Sequence, residues 1–171
     1  MPFLYSIAVS IAKAVMPMIA KSAKSKAFVD GRKALWAQLE DIPKNKKVIW
    51  MHCASLGEYE QGLPVLTELK TKHPQHLYLV TFFSALRYEI RKNHDIADLA
   101  TYLPWDTKAD VKRFVNLVNP AMALLVKYEF WPNLIRELQD QRVPLYLIAG
   151  LFRQNQHFFK PWGNSQRKLL R

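Results

Sequence analysis

The chain has 171 residues, of which 50% are hydrophobic and 23% are charged, a composition typical of a globular protein rather than a disordered one. Its one cysteine, Cys53, excludes an internal disulfide bond and favours a reducing, cytoplasmic setting over a secreted one. The net charge of +11 lies at the two ends, because residues 48–150 contain eleven basic and eleven acidic residues. Basic ends suit an anionic surface, and the apolar start of the chain favours phospholipid over nucleic acid.

The first 20 residues are almost entirely apolar, with Lys13 as their only charged residue, and a basic stretch follows them directly. A secretory signal is disfavoured because no basic residues precede the apolar part and Pro17 interrupts its end. A bilayer span is borderline in length and is weakened by Lys13. We expect residues 1–26 to form a membrane-associated helical segment that lies in the interface. The alternative is a helix that packs on the protein's own body.

Apolar runs of strand length alternate with helical patterns from residue 48 onward, after a turn predicted at Asp30-Gly31-Arg32. Strands are predicted at Val48–Cys53, Leu77–Phe83, Thr101–Leu103, Ala121–Tyr128 and Leu145–Ala149. Helices are predicted at Tyr59–Lys72, Leu86–His94, Lys108–Leu117 and Asn133–Gln141. Apolar strands joined by helices imply an α/β fold with a doubly wound parallel sheet, whose functional residues gather at the carboxyl ends of the strands.

The loop after the first strand contains the first candidate site, formed by Ser55, Gly57 and Glu58. Gly57 lets a ligand approach the backbone closely, and the free amides at a helix start attract an anionic group. Glu58 is the carboxylate of this loop. Ser55 and Glu58 also have the spacing of a capping box, in which the glutamate closes the first helical turn. From the residues alone, this structural role is favoured over catalysis.

A second candidate site follows the fourth strand, where Lys127 and Glu129 are two residues apart. On an extended segment, side chains with this spacing point to the same side. The two residues would then form a polar patch in which the lysine offsets negative charge on a donor or transition state. The alternative is an ion pair at a strand end, with Phe130 and Trp131 in the core.

Several separated motifs, in order and over essentially the whole chain, resemble the Kdo (3-deoxy-octulosonic acid) transferases of lipopolysaccharide assembly. The apolar start and the tail with its paired phenylalanines fit the same pattern. The motifs are Gly31-Arg32-Lys33, Ala54-Ser55-Leu56-Gly57-Glu58, Leu103-Pro104-Trp105-Asp106, Val111-Lys112-Arg113-Phe114, Asn119-Pro120, Lys127-Tyr128-Glu129-Phe130-Trp131-Pro132-Asn133, Phe152-Arg153 and Phe158-Phe159-Lys160.

The resemblance implies a GT-B glycosyltransferase, with two Rossmann-like domains facing a cleft. Residues 27–150 would be the acceptor-binding domain, and residues 151–171 would begin the interdomain helix, with the C-terminal donor domain absent from this chain. The implied reaction is an inverting, metal-independent transfer of Kdo from CMP-Kdo to a lipid A precursor of the lipid IVA type. It would take place at the cytoplasmic face of the inner membrane, without a cofactor. No nucleic-acid partner is expected.

The resemblance also assigns roles to the candidate residues. Glu58 would be the general base, which reverses the preference for a cap, and Ser55 and Gly57 would contact the acceptor. Lys127 would stabilise the transition state and Glu129 would support it, although many family members carry an acidic residue at the position of Lys127. The chain alone is expected to be inactive. The alternative is a non-catalytic module, derived from such an enzyme, that binds the membrane or lipid A.

Overall fold

The computed structural model describes residues 2–83, 96–152 and 159–160, and within them five parallel strands form one sheet. The strand order is β3-β2-β1-β4-β5, so the order reverses between β1 and β4. This arrangement is Rossmann-like and confirms the predicted parallel α/β fold. The strands are β1 Val48–Cys53, β2 Leu77–Phe82, β3 Leu99–Tyr102, β4 Pro120–Val126 and β5 Leu145–Ile148.

The described helices are α1 Pro2–Ile19, α2 Ala23–Glu40, α3 Leu56–Lys72, α4 Lys108–Val118 and α5 Pro132–Asp140. The helix predicted at Leu86–His94 lies outside the described residues. Two predicted bounds were wrong in ways that affect the site. Helix α3 begins at Leu56 rather than Tyr59, because Ser55 caps it, and β4 ends at Val126 rather than Tyr128.

The core consists of two apolar layers, one on each face of the sheet. Alternate residues of β1 point to opposite faces, so Trp50 joins one layer and Met51 the other. The first layer packs under α2, α4 and α5, while the second packs under α3. Because β1 and β2 are buried along their whole length, a ligand can meet this part of the sheet only through the loops that follow the carboxyl ends of the strands.

The turn predicted at Asp30-Gly31-Arg32 was wrong, because these residues lie inside α2. Helix α2 also continues through residues 26 and 27, where the boundary between the membrane-associated segment and the acceptor-binding domain was expected. Gly31 serves close packing, since a Cβ atom at this position would lie 2.0 Å from Cε2 of Tyr102. Glycine therefore lets α2 approach β3.

Helix α1 packs on the body through polar contacts near its inward face. Ser6 Oγ donates a hydrogen bond to Asn133 Oδ1 at 3.1 Å, and Lys13 Nζ lies 2.6 Å from Asp110 Oδ2. Most of its apolar side chains remain outside, with Ile11 59% and Met18 80% exposed. Among the described residues, no helix is both long enough and apolar enough to cross a membrane.

Candidate functional site

The loop between β1 and α3 places Glu58 in the first helical turn. Ser55 Oγ accepts a hydrogen bond from the Glu58 amide at 3.4 Å, and Glu58 Oε2 accepts one from the Ala54 amide at 2.6 Å. The predicted cap is therefore confirmed, although the glutamate reaches the amide before the N-cap residue rather than that of Ser55 itself.

The cap leaves Glu58 in an open position. Its side chain is half-buried, Gly57 beside it is exposed, and a Cβ atom added to Gly57 would meet nothing within 4 Å. The amides of Leu56 and Gly57 have no acceptor within their own helix, as at every helix start. A ligand with a hydroxyl or anionic group has access to this loop from solvent.

The segment after β4 differs from the prediction. Lys127 has a left-handed backbone with φ of 61°, and its amide donates a hydrogen bond to the Ile148 carbonyl at 2.8 Å. Lys127 and Glu129 are therefore not on one extended segment, and the expectation that spacing alone aligns their side chains was wrong. The left-handed residue turns the chain out of the sheet immediately after Val126.

Glu129 contacts aromatic and imidazole donors instead of the neighbouring lysine. Its Oε2 accepts a hydrogen bond from Trp131 Nε1 at 2.9 Å and lies 3.3 Å from His52 Nε2. The ion pairs found among the described residues do not include one between Lys127 and Glu129. The alternative of a Lys127–Glu129 ion pair is thus not observed.

Glu58 and Glu129 flank the carboxyl end of β1, because Glu58 accepts from the Ala54 amide just after the strand and Glu129 Oε2 lies 3.3 Å from His52 Nε2. Burial raises the pKa of the Cys53 thiol well above its usual value, and the charges of Glu58 and then Glu129 raise it further. One buried thiol thus experiences the field of both carboxylates. The two loops meet where the strand order reverses, the position at which open α/β sheets bind ligands.

His52 and Thr81 belong to this site and were missed by sequence reasoning. Both are fully buried, and they are paired neighbours in the β1–β2 register. His52 Nδ1 lies 2.9 Å from Thr81 Oγ1 and 3.0 Å from the Thr81 carbonyl oxygen. A usable signal was available, because each is the polar residue next to last in an otherwise apolar strand.

Asp106 fixes the start of α5 below the site. Its carboxylate accepts hydrogen bonds from the amides of Asn133 at 3.1 Å and Leu134 at 2.9 Å, and it also bonds Tyr5. Burial raises the pKa of Asp106, although these hydrogen bonds oppose that shift. The carboxylate replaces the side-chain cap that Trp131 lacks at the N-cap position.

A buried arginine supports the aromatic wall beside the site. The Arg32 guanidinium lies 3.7 Å from the Phe28 ring centroid and donates from Nη2 to the Phe83 carbonyl at 3.0 Å. Burial lowers the pKa of Arg32 to about 10, so it stays a cation. The Phe83 ring stacks on Trp131 with 5.2 Å between centroids. Arg32 thereby connects α2, through Phe83, to the indole that donates a hydrogen bond to Glu129.

Among the described residues, no three His, Cys, Asp or Glu side chains come together in a group suited to hold a metal ion. The metal independence implied by the resemblance stays a prediction.

The domain is Rossmann-like, with two carboxylates at the strand-order reversal, and its sequence lacks the glycine fingerprint of dinucleotide-binding domains. The chain belongs to the 3-deoxy-D-manno-octulosonic-acid transferase (Kdo transferase) family, whose N-terminal domain model matches residues 29–170.

Individual relatives agree with this assignment. The chain is 39% identical over 97 residues to a 3-deoxy-D-manno-octulosonic acid transferase of Aquifex aeolicus, covering 56% of this chain and 27% of the relative. It is 30% identical over 103 residues to the enzyme of the same name from Haemophilus influenzae, covering 60% and 24%. A bifunctional glycosyltransferase/methyltransferase of Fusobacterium nucleatum is 27% identical over 130 residues, covering 74% and 20%. The chain spans about a quarter of the length of the relatives it matches.

Proposed function

We propose that this chain is the acceptor-binding domain of a GT-B enzyme that transfers Kdo from CMP-Kdo to a lipid A precursor of the lipid IVA type. The observation that carries the proposal is the position of Glu58, which lies at the strand-order reversal, half-buried, beside an exposed glycine. A carboxylate at that edge reaches a sugar hydroxyl brought in from solvent. The CMP-Kdo donor would bind a second domain carried by the same protein.

In the proposed reaction Glu58 acts as the general base. Its carboxylate takes the proton of the acceptor hydroxyl while that oxygen attacks the anomeric carbon of Kdo, and the bond from this carbon to the CMP phosphate breaks. Because the attack comes from the face opposite the leaving group, the anomeric centre inverts. CMP leaves with the bonding electron pair, and no cofactor or metal ion takes part in this proposal.

The hydrogen bond from the Ala54 amide is compatible with this role. It falls on Oε2 of Glu58 and orients the carboxylate, so capping and proton transfer use one side chain. Lys127, half-buried at the end of β4, would neutralise charge that develops on the phosphate. Ser55 and Gly57 would contact the acceptor.

The test is Kdo transfer by the intact protein with Glu58→Gln. Glutamine keeps an oxygen that accepts the Ala54 amide, so the cap and the fold are preserved while the base is lost. We expect the turnover rate to fall by about 10²–10⁴-fold. The matched control is Glu68→Gln on the same helix, where the glutamate side chain is 64% exposed and pairs with Lys72, and it should leave turnover unchanged.

Two outcomes would contradict this proposal. Turnover of Glu58→Gln within a few-fold of wild type would remove Glu58 as the base. An intact wild-type protein that binds the lipid A precursor but transfers no Kdo from CMP-Kdo would support the non-catalytic module instead.

We also propose that α1 rests on the cytoplasmic face of the inner membrane. Its exposed apolar residues recur at helical spacing, with Leu4 70%, Ile11 59% and Met18 80% exposed. The exposed lysines Lys21 and Lys24 follow at its end. An apolar stripe next to basic residues suits the headgroup region of anionic lipid.

This placement is tested by sedimentation of the intact protein with phosphatidylglycerol vesicles and with phosphatidylcholine vesicles. We expect stronger binding to the anionic vesicles and a clear loss of binding for Ile11→Asp combined with Met18→Asp. The control is Val65→Asp, which changes a residue that is 39% exposed on α3 and should bind as wild type does. Equal binding of the α1 variant would contradict the proposal.

A further inference from the structure

We infer that His52 is a positioning residue that fixes the orientation of the Glu129 carboxylate, and that Thr81 in turn fixes His52. The inference rests on the proposed function only in assigning Glu129 to the acceptor side of the cleft. The contacts themselves are a chain of hydrogen bonds from β2 through β1 to the loop after β4.

His52 and Thr81 have no exposed surface, and they interrupt strands whose other residues are apolar. A buried polar group costs stability unless its hydrogen bonds are made. His52 and Thr81 bond each other, Thr81 also accepts from Trp50, and His52 also contacts Glu129. These contacts explain why two polar side chains are tolerated in the core.

The contact with Glu129 determines which ring nitrogen of His52 carries hydrogen. An ionised Glu129 only accepts hydrogen bonds, so His52 has to carry its hydrogen on Nε2. In a neutral ring Nδ1 is then an acceptor, and the Thr81 hydroxyl at 2.9 Å donates to it. In a charged ring Nδ1–H donates to the Thr81 carbonyl oxygen at 3.0 Å. Either way, Thr81 leaves Nε2–H directed at Glu129.

Trp50 extends the same chain of bonds on the Thr81 side. Its Nε1 donates to Thr81 Oγ1 at 2.9 Å, so the hydroxyl accepts from Trp50 and has its own hydrogen free for His52. In the neutral state every donor thus points in one direction, from Trp50 to Glu129. Hydrogen bonds aligned in this way strengthen one another.

His52 and Trp131 both bond Oε2 of Glu129, so among the described contacts the anchoring falls on a single oxygen. Glu129 follows the left-handed turn at Lys127 and lies beyond the strand, where ladder bonds no longer fix the backbone. With Oε2 held, Oε1 is left to accept a hydroxyl of the sugar acceptor.

A spectroscopic test addresses the proton directly. The intact protein is labelled with ¹⁵N-histidine, and the His52 ring signals are assigned by their loss in His52→Gln. We expect the pattern of a ring with hydrogen on Nε2, and in Thr81→Val we expect that pattern to change, whereas Thr81→Ser should retain it. A neutral ring with hydrogen on Nδ1 in wild type would overturn the inference.

A kinetic test addresses positioning. His52→Met should lower kcat by about 10–100-fold, the loss expected for one hydrogen bond to a charged group. His52→Gln, whose amide reaches the place of Nε2, should recover most of that loss. The control is His76→Met at the opposite edge of the sheet, where a histidine ends the turn before β2, and it should keep wild-type kcat.

Two further outcomes keep the inference separate from a purely structural role and from the proposed function. In a Glu129→Gln background, His52→Met should add little further loss, whereas full additivity, or equal losses for Met and Gln, would overturn the inference. If the intact wild type transfers no Kdo, the proposed function fails, and the ring signals of His52 still decide whether it donates to Glu129.

Discussion

Helices α1 and α4 are both attached to the same side of the domain, yet their apolar residues point in opposite directions. Helix α4 buries Val111, Phe114, Val115 and Val118 and turns polar residues outward. Helix α1 turns apolar residues such as Ile11 outward and contacts the body through Tyr5, Ser6 and Lys13. The comparison shows that hydrophobic content alone does not locate a helix in the core. The direction in which the apolar stripe of a helix points indicates whether that stripe packs on the core or faces outward.

The largest expected effect compares one apolar residue from each helix. Phe114 is fully buried, with its ring centroid 4.9 Å from that of Trp50, so Phe114→Ala should lower the free energy of unfolding by about 3–5 kcal/mol. Ile11→Ala on α1 should change it by less than about 0.5 kcal/mol. Denaturant unfolding in the absence of lipid measures both. Equal losses would mean that α1 is a core helix.

An intermediate effect is expected at the polar attachment of α1. Asp106 is buried, caps α5 and bonds Tyr5, so Asp106→Ala leaves amides without partners. The free energy of unfolding should fall by about 1–3 kcal/mol. The exposed Asp140, at the other end of α5, provides the control, and Asp140→Ala should stay near wild type in the same unfolding experiment. A similar change in both variants would contradict the proposed attachment.

The smallest effect is a pH dependence of that attachment. Burial raises the pKa of Asp106 above its usual value of 3.8, so the folded state keeps this proton at a pH where the unfolded chain has lost it. The stabilisation from Asp106 is therefore complete below the unfolded pKa and declines as pH rises through the folded pKa. The stability difference between wild type and Asp106→Asn, measured by unfolding at several pH values from about 3.5 upward, should shrink across this window. A difference that grows with pH would contradict the shift.

The sheet was predictable because the strand signal is local. Runs such as Val48–Cys53 are apolar throughout, which a doubly covered parallel strand requires, and their order along the chain left few topologies open. The cap formed by Ser55 and Glu58 was predictable for the same reason, since a capping box is a contact within four residues.

The role of Gly31 and the partners of Glu129 depend on contacts between different elements of the fold, which the spacing of residues along the chain does not reveal. The role of Gly31 is set by Tyr102 on another element, so a glycine between polar neighbours suggested a turn where the chain forms a helix. The partners of Glu129 are His52, distant in sequence, and Trp131, whose indole folds back over the loop. Only the register of β1 with its neighbours brings such residues together.

Helix α3 lies close to the sheet at Gly62, where a Cβ atom would come within 2.5 Å of the Met51 sulfur and 3.2 Å of Val126 Cγ2. Gly62 is one turn beyond Glu58 and on the same side of the helix. The absence of a side chain at this position therefore determines how low the carboxylate sits over the strand ends. Any side chain larger than hydrogen there would act as a spacer between α3 and the sheet and, in the proposed reaction, would move Glu58 away from the acceptor hydroxyl.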